Sequence, residues 1–284
     1  ASDMELIQRR EQASGSQNEA GDAQTAAGSE NHAGAAEGQQ TTENQETGNN
    51  GQTASETQGT EQRDSQVPDG MVASGGRYID PNAPMVALTF DDGPGQYTDK
   101  LLDCLEENNA HATFFMLGQL VGQYPDEVKR MVELGCEIGN HSWDHLDMLN
   151  LSIEDVVKEF GDTDQALIDA CGQDSTVIRP PYGDCNDEII SAVGKPFILW
   201  SIDSLDWKYL DADLDYNGIM NDSNLGDGAV ILMHDIHPTT VEALKKVLPW
   251  LVKNDYDILT VSELAKRKGA VMHNGKAYGG FTGN

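Results

Sequence analysis

From residue 85 onward, short apolar runs alternate with stretches of helical pattern, the runs falling at 85–90, 112–117, 136–140, 176–179, 197–202, 229–234 and 257–261. Near-continuous apolar runs of this length belong to strands buried on both faces, so the chain is confined to an α/β fold with a parallel sheet covered by helices. The stretches between them carry their own signals. Leu101, Leu102 and Leu105 recur at helical spacing behind Thr98, a candidate cap, and Pro125 suits a first helical turn followed by Asp126 and Glu127. Ser152 with Asp155 resembles a capping box, and Val241, Leu244, Val247, Leu248 and Leu251 mark one apolar helix face. A doubly wound sheet and a closed βα barrel both fit this pattern. Asp91, His141, Arg179, Asp203 and His234 stand at or just past the carboxyl ends of five different runs. A barrel gathers those ends around one mouth, so a barrel one strand short of the familiar eight is expected.

The first 70 residues contrast with the rest. They contain no Phe, Trp or Tyr, and their only Leu, Ile or Val residues are Leu6, Ile7 and Val67. Burial there cannot offset the entropy of ordering, so residues 1–76 are expected to be a disordered, low-complexity acidic tether. A folded domain at 77–268 and a C-terminal tail at 269–284 are expected to follow. The formal net charge is −30, with 48 acids against 18 bases. That sign argues against nucleic acid and against electrostatic attachment to anionic lipid. No run of about 18 apolar residues is present. A removed signal peptide or a membrane anchor upstream of Ala1 would account for a solvated tether, and an arbitrary boundary would look the same. Cys104, Cys136, Cys171 and Cys185 are too scattered for a disulfide scaffold or a Cys-type zinc site. Buried thiols are the default, and a Cys171–Cys185 bridge is open in an exported protein.

The chemistry gathers at the run ends. Thr89-Phe90-Asp91-Asp92-Gly93-Pro94 delivers two adjacent acids to a Gly-Pro turn. Alone, that is an ordinary strand followed by an Asp-Gly turn. His141-Ser142-Trp143-Asp144-His145 sets two imidazoles four apart, which on a helical turn share one face within reach of a single cation, although Ser142 stands where the zincin motif has its Glu. Two His and one carboxylate with an open position describe a catalytic zinc site, and equally some iron, cobalt or manganese sites. Arg179-Pro180-Pro181-Tyr182-Gly183 is rigid, a loop stiffener or a fixed guanidinium that holds a carboxylate. Ser201-Ile202-Asp203-Ser204-Leu205-Asp206-Trp207 and Leu232-Met233-His234-Asp235 add a His that a nearby Asp could orient as a general acid. His32, His111, His237 and His273 lack such settings and are read as structural or solvent-exposed.

Taken in order, TFDDGP, HSWDH, RPPYG, SIDSLDW and LMHD resemble the five motifs of the family 4 carbohydrate esterases, the polysaccharide deacetylases. The resemblance covers roughly 77–268 and implies a distorted seven-stranded (β/α) barrel. It implies that Asp92, His141 and His145 hold one divalent metal ion, zinc first, with cobalt, manganese or iron as alternatives. Asp91 then corresponds to the general base, Arg179 to the residue positioning it, His234 to the general acid and Asp206 to the acid tuning that His. Tyr182 corresponds to the residue whose backbone N–H serves the oxyanion, and Trp207 and Leu232 to the walls receiving the acetyl methyl group. Asp91 and Asp92 would be separated by strand alternation if the backbone stays nearly extended there. The expected activity is removal of N-acetyl groups from N-acetylglucosamine residues of peptidoglycan or a chitin-like polymer, by an extracellular or cell-surface monomer of the bacterial envelope. An O-deacetylase such as an acetylxylan esterase is the near alternative, and a non-catalytic glycan-binding homologue the distant one. The acidic domain suits a neutral polymer better than an anionic wall, because like charge lowers the encounter rate.

Overall fold

A computed structural model describes residues 70–282, so residues 1–69 of the expected tether lie outside the described residues. The described chain opens on a hairpin, β1 (Val72–Ser74) antiparallel to β2 (Arg77–Ile79). Gly75 and Gly76 make its two-residue turn with φ of 54° and 84°, values that glycine adopts without steric cost. There follow β3 (Met85–Asp91), α1 (Thr98–Glu107), β4 (Thr113–Met116), α2 (Gly118–Val121), α3 (Pro125–Glu133), β5 (Glu137–Asn140) and α4 (Ile153–Cys171). Next come β6 (Val177–Ile178), α5 (Asp187–Val193), β7 (Phe197–Ile198), β8 (Ile202–Asp203), α6 (Asp206–Tyr209) and α7 (Ala212–Met220). The chain ends with β9 (Ala229–His234), α8 (Pro238–Lys253), β10 (Asp257–Leu259), α9 (Val261–Arg267) and β11 (Ala277–Tyr278).

Strands β3 to β11 form one parallel sheet in the order β11-β7-β6-β5-β4-β3-β9-β8, with β10 also on β3. The sheet curls back on itself through a single segment. Residues 197–203 pair through β7 with β6 at one end and through β8 with β9 at the other. This divides the run expected as one strand, because the segment bends from one neighbour to the next; within the bend the Ser201 N–H donates to Val230 O at 2.9 Å. Segment 197–203 with β6, β5, β4, β3, β9 and β10 makes the expected distorted seven-stranded barrel. Its distortion is visible at β3, where β10 pairs with Met85–Ala87 and β4 takes over the same flank at Thr89–Asp91.

Strand alternation sorts residues between barrel interior and helical jacket. Val86, Leu88 and Phe90 of β3 pack with Leu101, Leu105, Leu244 and Leu248 of α1 and α8, whereas Met85 and Ala87 join Phe115, Val230 and Leu259 inside. The inner row of β3 continues upward to Thr89 and Asp91, so an apolar floor gives way to polar groups at the mouth. Thr98 is not a cap, since it is the first helical residue and its hydroxyl donates to Asp235 Oδ2 at 2.5 Å. Ser152 does cap α4, accepting from the Asp155 N–H.

The packed chain reaches past 77–268 at both ends. Val72 packs against the inner apolar cluster, β11 pairs with β7, and buried Phe281 donates its N–H to Gly228 O at 2.8 Å. At the barrel floor, His111 Nδ1 lies 3.2 Å from Glu263 Oε2, a structural contact. Cys171 is a free thiol, so no Cys171–Cys185 bridge forms. Among the described residues no helix is long and apolar enough to cross a membrane.

Candidate active site

The mouth of the barrel is built from the ends of β3, β5, β6 and β9 and the loops that leave them. Asp91 closes β3, and beyond it Asp92 turns left-handed, with φ of 72°. The extended backbone expected there is therefore absent; a left-handed turn replaces strand alternation, and both carboxylates reach His141 Nε2, Asp92 Oδ1 at 3.4 Å and Asp91 Oδ2 at 3.7 Å. Gly93 makes that turn feasible, because a Cβ at this position would lie 2.1 Å from Asp235 Oδ1. The buried Asp235 carboxyl fills the space and receives the Thr98 hydroxyl.

Asp91 faces Arg179. The fully buried guanidinium donates from Nη1 to Asp91 Oδ1 at 2.8 Å and to Thr89 Oγ1 at 2.7 Å. Its Nε and Nη2 donate to Ile198 O and Leu199 O, each at 3.0 Å, and the ring of Phe115 lies 4.1 Å beneath. The two carbonyls belong to the segment that closes the barrel, so the ion pair and the closure are one construction. Burial pushes the Asp91 carboxyl upward, and Arg179 pulls it back. Arg179→Lys, which cannot reproduce this fork, is expected to lower stability by about 3–5 kcal/mol, read by denaturant unfolding.

Asp92, His141 and His145 form a second group, each offering a ligand atom within 4.8 Å of the others. Asp92 Oδ1 stands 3.4 Å from Nε2 of both imidazoles and is buried without a hydrogen-bond partner. His141 Nδ1 lies 2.7 Å from Arg179 O. A carbonyl only accepts, so Nδ1 carries the proton and Nε2 presents its lone pair toward Asp92. Burial holds the His141 pKa down at about 3, which keeps the ring neutral. An orphaned carboxylate oxygen facing a lone pair fits a shared divalent cation, and the donor set suits zinc, cobalt, iron or manganese. The imidazoles do not meet on a helical turn. Residues 141–145 are a loop in which Ser142 and His145 take φ of 73° and 65°, and this bend sets the rings 5.0 Å apart.

Opposite stands His234, the register partner of Asp91 on the neighbouring strand. Its Nδ1 lies 2.7 Å from Asp206 Oδ1, and its own N–H donates to Asp206 Oδ2 at 2.8 Å. Asp206 is fully buried and also accepts from the Trp207 N–H and the Thr240 hydroxyl. Burial works against charge on both, yet their mutual attraction wins, lifting His234 to about 9 and lowering Asp206. Leu232 packs with Leu199 and Trp200 below the mouth, Trp207 is half-exposed, and the Tyr182 ring meets His145 edge-on at 4.5 Å. Tyr182 sits in a left-handed bend, φ 62°, directly after two prolines that have no N–H.

Thr240, which donates to Asp206, lies outside the motifs, and Thr89, which accepts from Arg179, opens the TFDDGP motif without a role assigned to it in the sequence. His237, expected to be structural or solvent-exposed, is half-buried with its ring 6.2 Å from that of His234. Its only signal was its place three residues after His234.

A curled parallel barrel with paired acids, two imidazoles and an oriented His at its mouth defines a hydrolase-type site. The sequence profile described as Polysaccharide deacetylase matches residues 79–195. The chain is 40% identical over 191 residues to the peptidoglycan-N-acetylmuramic acid deacetylase PdaC of Bacillus subtilis, covering 67% of this chain and 40% of that protein. It is 41% identical over 194 residues to the peptidoglycan-N-acetylglucosamine deacetylase PgdA of Listeria monocytogenes, covering 68% of this chain and 41% of that one. A family 4 acetyl xylan esterase from Clostridium thermocellum, solved in complex with a cobalt ion, superposes with a TM-score of 0.65 at 33% identity, covering 69% of this chain and 98% of that one. The chain belongs to the polysaccharide deacetylase family, carbohydrate esterase family 4. It spans about two fifths of the length of the two curated relatives.

Proposed function

We propose that this protein is a metal-dependent deacetylase that removes N-acetyl groups from N-acetylglucosamine residues of a bacterial cell-wall polysaccharide, outside the cell. The observation that carries the reading is the difference between the adjacent acids: Asp91 Oδ1 is held by Arg179, with Oδ2 3.7 Å from His141 Nε2, while Asp92 Oδ1 lies 3.4 Å from both His141 and His145 and has no hydrogen-bond partner. A divalent cation held by Asp92, His141 and His145 supplies Lewis-acid polarisation of the acetyl carbonyl and acidifies water. Asp91, held by Arg179, takes the proton of the water that adds to the carbonyl carbon. The Tyr182 N–H donates to the carbonyl oxygen as it gains charge, and Trp207 and Leu232 flank the methyl group. His234, protonated at neutral pH through Asp206, gives its proton to the departing amine. An amine leaving group needs that proton, and an alkoxide leaving group needs it less.

The similarity to an acetyl xylan esterase favours a second reading, O-deacetylation of xylan by the same residues. Acetate release from peptidoglycan, chitooligosaccharide and acetylxylan separates the two. Release from the first or second substrate is the expected result, release from acetylxylan alone overturns N-deacetylation, and no release from any with metal restored leaves a glycan-binding protein. Mass analysis of the deacetylated peptidoglycan tells N-acetylglucosamine from N-acetylmuramic acid as the sugar processed.

A further inference from the structure

Alternation along β5 turns His141 toward the barrel interior and Asn140 outward, against α4. The Asn140 side chain is fully buried and its amide is fully used. Nδ2 donates to Phe160 O and to Asp164 Oδ1, both at 2.8 Å, and Oδ1 accepts the Ser142 N–H at 2.9 Å. Only one orientation of the amide satisfies all three, since the reverse would set donor against donor and oxygen against oxygen. The path continues into the His-bearing loop. Ser142 Oγ accepts the His145 backbone N–H at 3.1 Å, so a chain of hydrogen bonds runs from α4 through Asn140 and Ser142 to the backbone of His145. At its outer end Asp164 accepts from Ser175 Oγ at 2.5 Å and from Lys195 Nζ at 2.7 Å, which fixes the anchor.

The loop needs such a clamp. Ser142 and His145 are both non-glycine residues in the left-handed region, each costing on the order of 1–3 kcal/mol unless the surroundings enforce it. Released, the segment would relax and carry His145 away from Asp92. We infer that Asn140 is a positioning residue that presets the His141–His145 loop, so that the affinity of the Asp92, His141 and His145 group for a divalent cation depends on its amide. This rests on the proposed reading of that group as a cation site. Asn140 touches neither the reacting atoms nor the ligand atoms, so it acts on cation affinity through Ser142 and His145.

The test uses the full chain, stripped of metal and titrated with Zn²⁺ and separately with Co²⁺, whose visible absorption reports coordination geometry. Asn140→Ala is expected to weaken binding of both ions by roughly 10–100-fold and to alter the Co²⁺ spectrum, the usual size of such an outer contact. Asp164→Ala removes one acceptor of Nδ2 and leaves the bond to Ser142, so a smaller loss in the same direction is expected. A purely structural Asn140 would lower the melting temperature of the metal-free protein and leave both dissociation constants within about twofold of the parent, which overturns the inference. Should Asn140→Ala fail to fold, unchanged affinity in Asp164→Ala overturns it equally. A parent protein that binds neither ion refutes the cation site itself, an outcome distinct from failure of the clamp.

Discussion

Asp91→Asn is expected to retain a stoichiometric divalent cation while losing roughly 10²–10⁴-fold in acetate release, whereas His141→Ala loses both. The asymmetry follows from what each side chain touches. Asn at position 91 still offers Arg179 Nη1 an oxygen, so the guanidinium and the two carbonyls it holds on the closing segment keep their geometry. What disappears is the carboxylate proposed to take the proton. His141 instead presents Nε2 to Asp92 Oδ1, and its removal leaves that oxygen with one imidazole in place of two. Metal analysis beside an acetate assay on the same preparations decides the matter. Equal depletion of metal in the two variants would contradict the division between the adjacent acids.

Asp206→Asn is expected to move the alkaline limb of the kcat profile toward acid by roughly 2 pH units or more and to cost about 3–5 kcal/mol of stability near pH 6. His234 is lifted to about 9 by Asp206 against the opposing effect of burial. Without that carboxylate, burial is opposed only by the charges of Asp91 and Asp92, and the ring gives up its proton at lower pH than in the parent. Loss of the proposed proton donor then begins at lower pH than in the parent. The stability effect has a definite pH window. Because His234 is raised in the folded protein, its contribution is complete below about 6.5 and is lost as pH rises through about 9. Asp206 is lowered, so its contribution is complete above the unfolded carboxyl value near 3.9 and is lost as pH falls through its folded value. The difference in unfolding free energy between parent and variant should therefore be widest from about pH 4 to 6.5 and shrink toward pH 9. A difference that grows with alkalinity would rule out the pair as the source.

Much of this was legible in the residues because it depends on neighbours in the chain. Apolar runs of strand length, helical spacing such as Val241 to Leu251, and the Ser152 cap are local matters of periodicity and backbone donors, and each reappears in the structure. The placement of Asp91, Arg179 and His234 at run ends was equally local, and a closed barrel converts run ends into neighbours. Chemical identity then narrows the choices, since carboxylates, imidazoles and a guanidinium at one mouth have few uses.

What the tertiary structure alone decided depends on contacts between residues far apart in sequence. Asp92 leaves the strand pattern because it turns left-handed ahead of a Gly93 pressed against Asp235. The imidazoles converge because Asn140 and Ser142 hold a bent loop, and not because a helix spaces them. Thr98 gave its hydroxyl to Asp235 and not to its own helix, and the run at 197–202 divided because it had to meet β6 and β9 in turn. The sequence by itself determined which groups this protein has and roughly where along the barrel they emerge. Only the folded chain determined that Asp91 meets the guanidinium while Asp92 meets both imidazoles, because backbone sign and side-chain direction at a turn are set by whatever is packed behind it.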